Sequence, residues 1–203
     1  MPDRPVRRTQ EQRRAETERR VLDAAMTLIA AHGSRSITLA QVGETAGYSR
    51  GIVYHHFGSR EKLLAAVMAD AQRFAVPAYE GDGLDYLSKL VAAYLDNVVN
   101  RSPAARAFLQ LWAEATAADE VLTPLFARQD ADFRAFLADR IRAGIADGTV
   151  RADANPAAAA VYLVALLRGI GLQLIATPPP DDIPAIVREA QRATRDAFRA
   201  PTG

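Results

Sequence analysis

Residues 38–64 read TLAQVGETAGYSRGIVYHHFGSREKLL, and the spacing of the caps and glycines within them decides the fold. Thr38 and Gln41 match a capping box, in which the hydroxyl accepts from one orphan amide and the glutamine reaches back for another. The helix that starts there runs about two turns before Ala46-Gly47 interrupts it, and Gly47 suits a left-handed turn with no side-chain penalty. Ser49 caps a second helix at once, so the two must cross steeply, as in a helix-turn-helix. Val42, Ala46, Tyr48 and Val53 can form the inner face, with Gly43 small enough to let the second helix approach. Arg50, Gly51 and His55 fall on the outer side near the N-terminal end, the part of such a helix that enters a major groove. Arg50 can donate to guanine edges, Gly51 allows close backbone approach, and the Tyr54 hydroxyl can meet a phosphate oxygen. Ser59 caps the following helix, whose free amides together with Lys62 favour a phosphate.

The two adjacent histidines, His55 and His56, do not make a metal pair. Neighbours on a helix point about 100° apart, and helical metal pairs use i, i+4 spacing, which is absent from this chain. His56 is expected to pack with Phe57, and His32 to sit at the negative end of the first helix. No cysteine occurs, which excludes disulfides, iron–sulfur clusters and thiolate zinc. No catalytic residue, metal site or cofactor is therefore expected.

Outward from this stretch, the 203-residue chain is 49% hydrophobic and 24% charged, an ordinary balance for a globular protein with a real core. Its net charge of +1 conceals an asymmetry: residues 1–75 hold 12 Lys+Arg against 8 Asp+Glu, and residues 76–203 hold 13 against 16. The basic end, with Arg7, Arg8, Arg13 and Arg14, adds a sequence-independent attraction for an anionic partner. The N-terminus lacks the apolar core of a signal peptide. The most apolar run, 157–167, stops at Arg168, short of the ~20 residues of a membrane span. A cytoplasmic protein with no membrane contact is expected.

Apolar residues recur at helical spacing, as in Val21, Leu22, Ala25, Leu28 and Ile29, and the chain reads as all-α with about nine helices. They are expected near 11–32, 38–45, 49–56, 59–76, 84–100, 103–117, 123–146, 156–176 and 182–199. Ser102-Pro103, Thr123-Pro124 and Asn155-Pro156 read as caps followed by a first-turn proline. Gly33, Gly81, Gly83 and Gly148 read as helix stops. The break near 75–83, with Pro77 and two glycines, divides the chain into a domain at 1–75 and a larger one at 76–203.

The run from Ser36-Ile37-Thr38 through Ala46-Gly47-Tyr48-Ser49-Arg50-Gly51-Ile52-Val53-Tyr54-His55-His56-Phe57 to Leu64 closely resembles the DNA-binding domain of TetR-family transcriptional regulators. It is similar to that family's T…I-A…A-G-V-S-x-G-x-L-Y-x-H-F-x-S-K-E-x-L-L pattern. The likeness covers residues 15–75, with a weaker one over 148–156. Val42-Gly43 stand where isoleucine-alanine is usual, Tyr48 for valine and Arg60 for lysine. Thr38, Ser49, Arg50, Gly51, Tyr54, His55 and Lys62 are the candidate DNA-binding residues.

The resemblance implies a three-helix N-terminal domain followed by a helical domain for effector binding and dimerisation, the effector being small and apolar or aromatic. Phe108, Trp112, Phe133 and Phe136 are the candidate cavity wall, with Glu114 or Gln173 as polar anchors. It also implies a homodimer through the helices near 156–176 and 182–199, facing a palindromic operator as a ligand-released repressor. The competing classes are an enzyme and a helical interaction module built on the C-terminal bundle. An enzyme should show a pocket with an acid–base constellation, and an interaction module leaves Arg50–Lys62 without a role.

Overall fold

The computed structural model describes residues 9–73, 75–78, 81–100, 102–117 and 119–201, Ser102 by its backbone alone. Among them are nine helices: α1 (Gln10–His32), α2 (Leu39–Ala46), α3 (Arg50–Phe57), α4 (Arg60–Ala71), α5 (Gly83–Asn100), α6 (Ser102–Thr116), α7 (Leu122–Ala146), α8 (Pro156–Leu174) and α9 (Ile183–Phe198). The caps read from the sequence hold at most ends. Thr38 and Ser49 accept from the amides of Gln41 and Ile52, Gly47 is left-handed at φ 77°, and Asn155 caps α8 ahead of Pro156.

Three expectations fail for identifiable reasons. Thr123 does not cap α7; its hydroxyl donates to the Ala115 carbonyl, while Asp119 accepts from Val121 and Leu122 and starts the helix earlier. Gly83 does not stop a helix but begins α5, because its bare Cα lies against Gly144 of α7: a Cβ there would sit 2.3 Å from the Gly144 Cα. The fourth helix ends at Ala71 rather than 76, with the Met68 carbonyl taken by the Gln72 amide and by Gln129 of α7. The Ser102 side chain, read as a cap, lies outside the described residues, as do Arg7 and Arg8.

Helices α1–α4 surround Ile29, Val42, Val53, Leu63 and Leu64, all essentially inaccessible to solvent. This core does not close on itself. Ala107, Phe108 and Leu111 of α6, with Leu122 and Phe126 of α7, complete it. A second core joins α5, the rest of α7, α8 and α9 through Leu87, Leu90, Leu95, Leu137, Ile141 and Leu163. Antiparallel pairing of Val150 with Arg199 ties the end of α9 to the α7–α8 turn.

Helix α8, with a mean hydropathy of 1.7, is long and apolar enough by composition to cross a bilayer, contrary to the reading that ended the apolar run at Arg168. Here it packs on α5 and α7 instead, and Arg168 is held in an ion pair with Asp130.

Candidate nucleic-acid interface and effector cavity

The outer face of α3 is built by its inner one. Val53 is fully buried and Phe57 nearly so, which fixes the helix rotation and leaves Arg50, Gly51, Tyr54 and His55 exposed, Tyr54 by 60%. The α2–α3 crossing depends on Gly43: a Cβ there would meet the Tyr48 carbonyl oxygen at 2.9 Å. Gly51 is the opposite case, with Ser49 Oγ at 3.7 Å as the nearest atom to a Cβ, so the protein itself does not require a glycine there. Ile52, absent from the candidate residues, is 40% exposed on the same face. Its signal in the sequence was its place three residues beyond Ser49.

An open groove of about 670 Å³ separates this face from the start of α1. Arg13, Arg14 and Thr17 line one side, and Ser49, Gly51, Ile52, His55 and His56 the other. His56 is therefore half-buried in the groove wall, its ring 6.4 Å from that of Phe57 and edge-on to His55 at 6.0 Å. Tyr48 carries α1 against α3: Thr17 donates to its hydroxyl at 3.3 Å, and the Arg20 guanidinium lies 5.2 Å over its ring. Thr38 is exposed at the start of α2, and Lys62 at the start of α4 beside the Gly58 turn.

Arg60 behaves differently from its neighbours. It turns inward and donates to the carbonyls of Ser34 and Ile37, so it braces the α1–α2 loop. The same loop is gripped from α6, where Glu114 accepts from the Ser34 amide at 2.9 Å and from the Ser34 hydroxyl. Arg35 meets Asp119 at 3.7 Å. Burial works to raise the Glu114 pKa, but the hydrogen bonds from Ser34 and Gln110 outweigh it and hold the carboxyl below its ordinary value. Glu114 thus belongs to the seam between the two groups of helices, not to a cavity.

Two hollows meet at Arg168. The inner one, only about 20 Å³, is lined by Tyr94, Asn97, Phe108 and Arg168, and the outer one, about 380 Å³, by Leu109, Trp112, Asp130, Arg134, Val164 and Arg168 among others. The Arg168 guanidinium forms a two-pronged pair with Asp130 and lies 5.6 Å over the Phe108 ring and 5.7 Å over Trp112. Phe108 lines the inner hollow and Trp112 the outer one.

Phe133 and Phe136 do not reach them. They stack on one another, and Phe133 on Tyr94 at 6.2 Å, half-buried against the second core. Gln173 is exposed beside a separate surface groove with Gln110 and Thr177. Asp130, Arg134 and Arg168 are brought together only by the packing of α8 on α7, and Tyr94 reaches Arg168 only because α5 packs beside them, so spacing along the chain does not reveal the group.

A profile described as "BetI-type transcriptional repressor, C-terminal" matches residues 84–198, and one described as "Bacterial regulatory proteins, tetR family" matches residues 21–67. The chain belongs to the TetR family. It is a transcriptional regulator and not an enzyme. The HTH-type transcriptional regulator SrpR of Pseudomonas putida is 42% identical over 57 residues, 28% of this chain and 27% of its own length. The match therefore spans only about a quarter of that relative. The HTH-type transcriptional repressor KstR2 of Rhodococcus jostii is 29% identical over 138 residues, 66% of this chain and 67% of its own. Among solved structures, the TetR regulator TylP of Streptomyces fradiae superposes with a TM-score of 0.74 at 23% identity. That alignment covers 93% of this chain and 89% of TylP, a likeness of fold.

Proposed function

We propose that this regulator is a homodimeric repressor that leaves a palindromic operator when a small molecule binds its C-terminal helices. The observation that carries the DNA half of this reading is the outer face of α3. Its donors and its glycine point away from the protein, while the arginines of α1 flank it across the groove. Arg50 reads guanine edges, Ile52 and the open space at Gly51 admit a thymine methyl, and His55 lies along the same edge. Thr38, Ser49, Tyr54, Lys62, Arg13 and Arg14 hold the phosphates. In this division the reading head is residues 1–75, and residues 76–203 bind the effector and the second subunit.

The dimer surface is argued from apolar positions that the fold leaves open. Tyr162 of α8 is about half exposed, and Leu166, Ile170, Ile186 and Ala193 line an open groove between α8 and α9. Part of the apolar face of α9, the second helix expected at the dimer surface, is not available for this purpose. Val187, Ala190 and Thr194 pack inside the subunit, with Phe198. A two-fold pair through α8 and α9 would set two α3 helices about 34–36 Å apart, one turn of DNA.

The effector half rests on the hollows beside Phe108 and Trp112, the seam at Ser34–Glu114 lying two residues beyond Trp112 on the same helix. Displacing α6 would move the loop that holds α2. A gel shift on DNA flanking the gene, repeated over a salt series, tests the DNA half. Sequence-selective retention that weakens steeply with salt is expected, and retention indifferent to both sequence and salt overturns it. A protein that acts on DNA in this way works in the cytoplasm.

A further inference from the structure

The outer hollow has a charge pattern that selects its guest. Its walls are mostly aliphatic or aromatic, from Leu109, Trp112, Val164 and Leu172, and only Asp130, Arg134 and Arg168 carry charge. Asp130 precedes Arg134 by four residues on α7, the spacing at which helical ion pairs form. The structure nevertheless commits both Asp130 oxygens to Arg168, whose side chain is 10% exposed. Arg134 lines the same hollow half-buried and, among the described residues, has no hydrogen bond or ion pair.

The hollow therefore holds a compensated pair and one uncompensated guanidinium against an apolar wall. A partly desolvated cation gains most from an anion that replaces its lost water, and guanidinium binds a carboxylate with two parallel hydrogen bonds. A cationic guest would find both Asp130 oxygens occupied and Arg134 repelling it. A neutral guest would gain only from the apolar wall. The size of the hollow, about 380 Å³, falls in the range of small-molecule sites.

We propose that this hollow binds an amphipathic carboxylate, its apolar body along Trp112, Val164 and Leu172 and its carboxylate on Arg134. The proposal rests on the reading of the C-terminal helices as effector-binding and names the chemical class of effector. Val161 and Leu172 on its rim are exposed on α8, so a second copy of the chain filling the hollow is the rival occupant.

The test uses three probes that share an eight-carbon chain: octanoate, 1-octanol and octyltrimethylammonium, each titrated calorimetrically into the full-length protein. Octanoate is expected to bind about tenfold or more tighter than octanol, as a charge-assisted bond allows, and the ammonium not to bind. Arg134→Met keeps the apolar stem and is expected to bring octanoate to the level of octanol while octanol itself is unchanged. Arg134→Lys should restore most of the preference, and melting curves of both variants verify that they are folded. An ammonium that binds as well as the carboxylate, a preference that survives Arg134→Met, or no binding of any probe overturns the proposal. A gel shift with octanoate separates the two readings. Binding that depends on Arg134 yet leaves the DNA complex intact sinks the effector reading alone, and another compound that releases DNA while octanoate does not bind sinks this one alone.

Discussion

Gly43 and Gly51, eight residues apart, face opposite demands. At Gly43 a side chain would press on the backbone of Tyr48 and Ser49, so the α2–α3 crossing requires glycine. At Gly51 nothing of the protein stands in the way. Gly51→Ala is expected to leave the melting temperature unchanged or raise it, since alanine is the better helix former by up to ~1 kcal/mol. The same variant should weaken operator binding in a gel shift, and unchanged affinity would remove α3 from the DNA face. Arg50→Ala should alter which operators bind, whereas Lys62→Ala should weaken all of them alike and reduce the salt slope by about 1. Fluorescence anisotropy on a set of operator variants distinguishes the two outcomes.

Glu114 gives a pH dependence with a definite sign. Its carboxyl sits below the ordinary value of 4.5 in the folded protein, so its contribution is present above that pH and fades as the pH falls through the folded value. The melting temperature of Glu114→Gln should lie below that of the parent at neutral pH, and the gap should close below about pH 4.5. A gap that stays constant through the acid range would mean that Glu114 contributes no titratable stabilisation at the seam.

Where α5 meets α7, glycine lies on glycine. A Cβ on Gly83 would fall 2.3 Å from the Gly144 Cα, and one on Gly144 would fall 2.5 Å from Val150 Cγ2. Neither obstacle is a flexible side-chain end, so Gly83→Ala must move α5 away from α7. An overpacked site of this kind costs ~1–3 kcal/mol, and each kcal/mol lowers the melting temperature of a protein this size by about 2–4 °C. Differential scanning calorimetry checks it; a melting temperature equal to the parent's would show that α5 shifts freely. Helix α6 has a different task. Phe108 and Leu111 face the first core, Ala105 faces the second, and Glu114 grips the α1–α2 loop. Its position is therefore set by both groups of helices at once, which is what a coupling element needs.

At the scale of the whole molecule, the proposed switch is a shift between two populations, and an effector must prefer the released state by ~5.5 kcal/mol to carry it from one extreme to the other. The dimer is the geometric premise. Ile186→Glu places a charge in the open α8–α9 groove while leaving Val187, Ala190 and Phe198 packed in the subunit. Sedimentation velocity should report a folded monomer, and operator affinity should fall because one subunit reaches one half-site only. A variant that remains dimeric would move the interface elsewhere.

Local chemistry made the reading head legible. Caps, the left-handed Gly47 and the apolar inner face of α2 and α3 depend on residues within a turn or two of one another, so their spacing along the chain carries the geometry. The sequence by itself determined the helices, the α2–α3 crossing and which residues of α3 face outward. Other features depend on partners far apart in the chain. Arg60 turns inward because carbonyls 23 and 26 residues earlier await it, and Glu114 leaves the cavity because Ser34, 80 residues away, offers two donors. Phe133 and Phe136 stack on one another, and Phe133 on Tyr94, which lies 39 residues earlier on α5. Arg168 and Asp130, 38 residues apart, meet only where α8 lies on α7. Tertiary structure alone decided these matters, because the direction of a half-buried side chain is set by what the rest of the fold brings to it, and helical periodicity specifies a face but not the neighbour opposite.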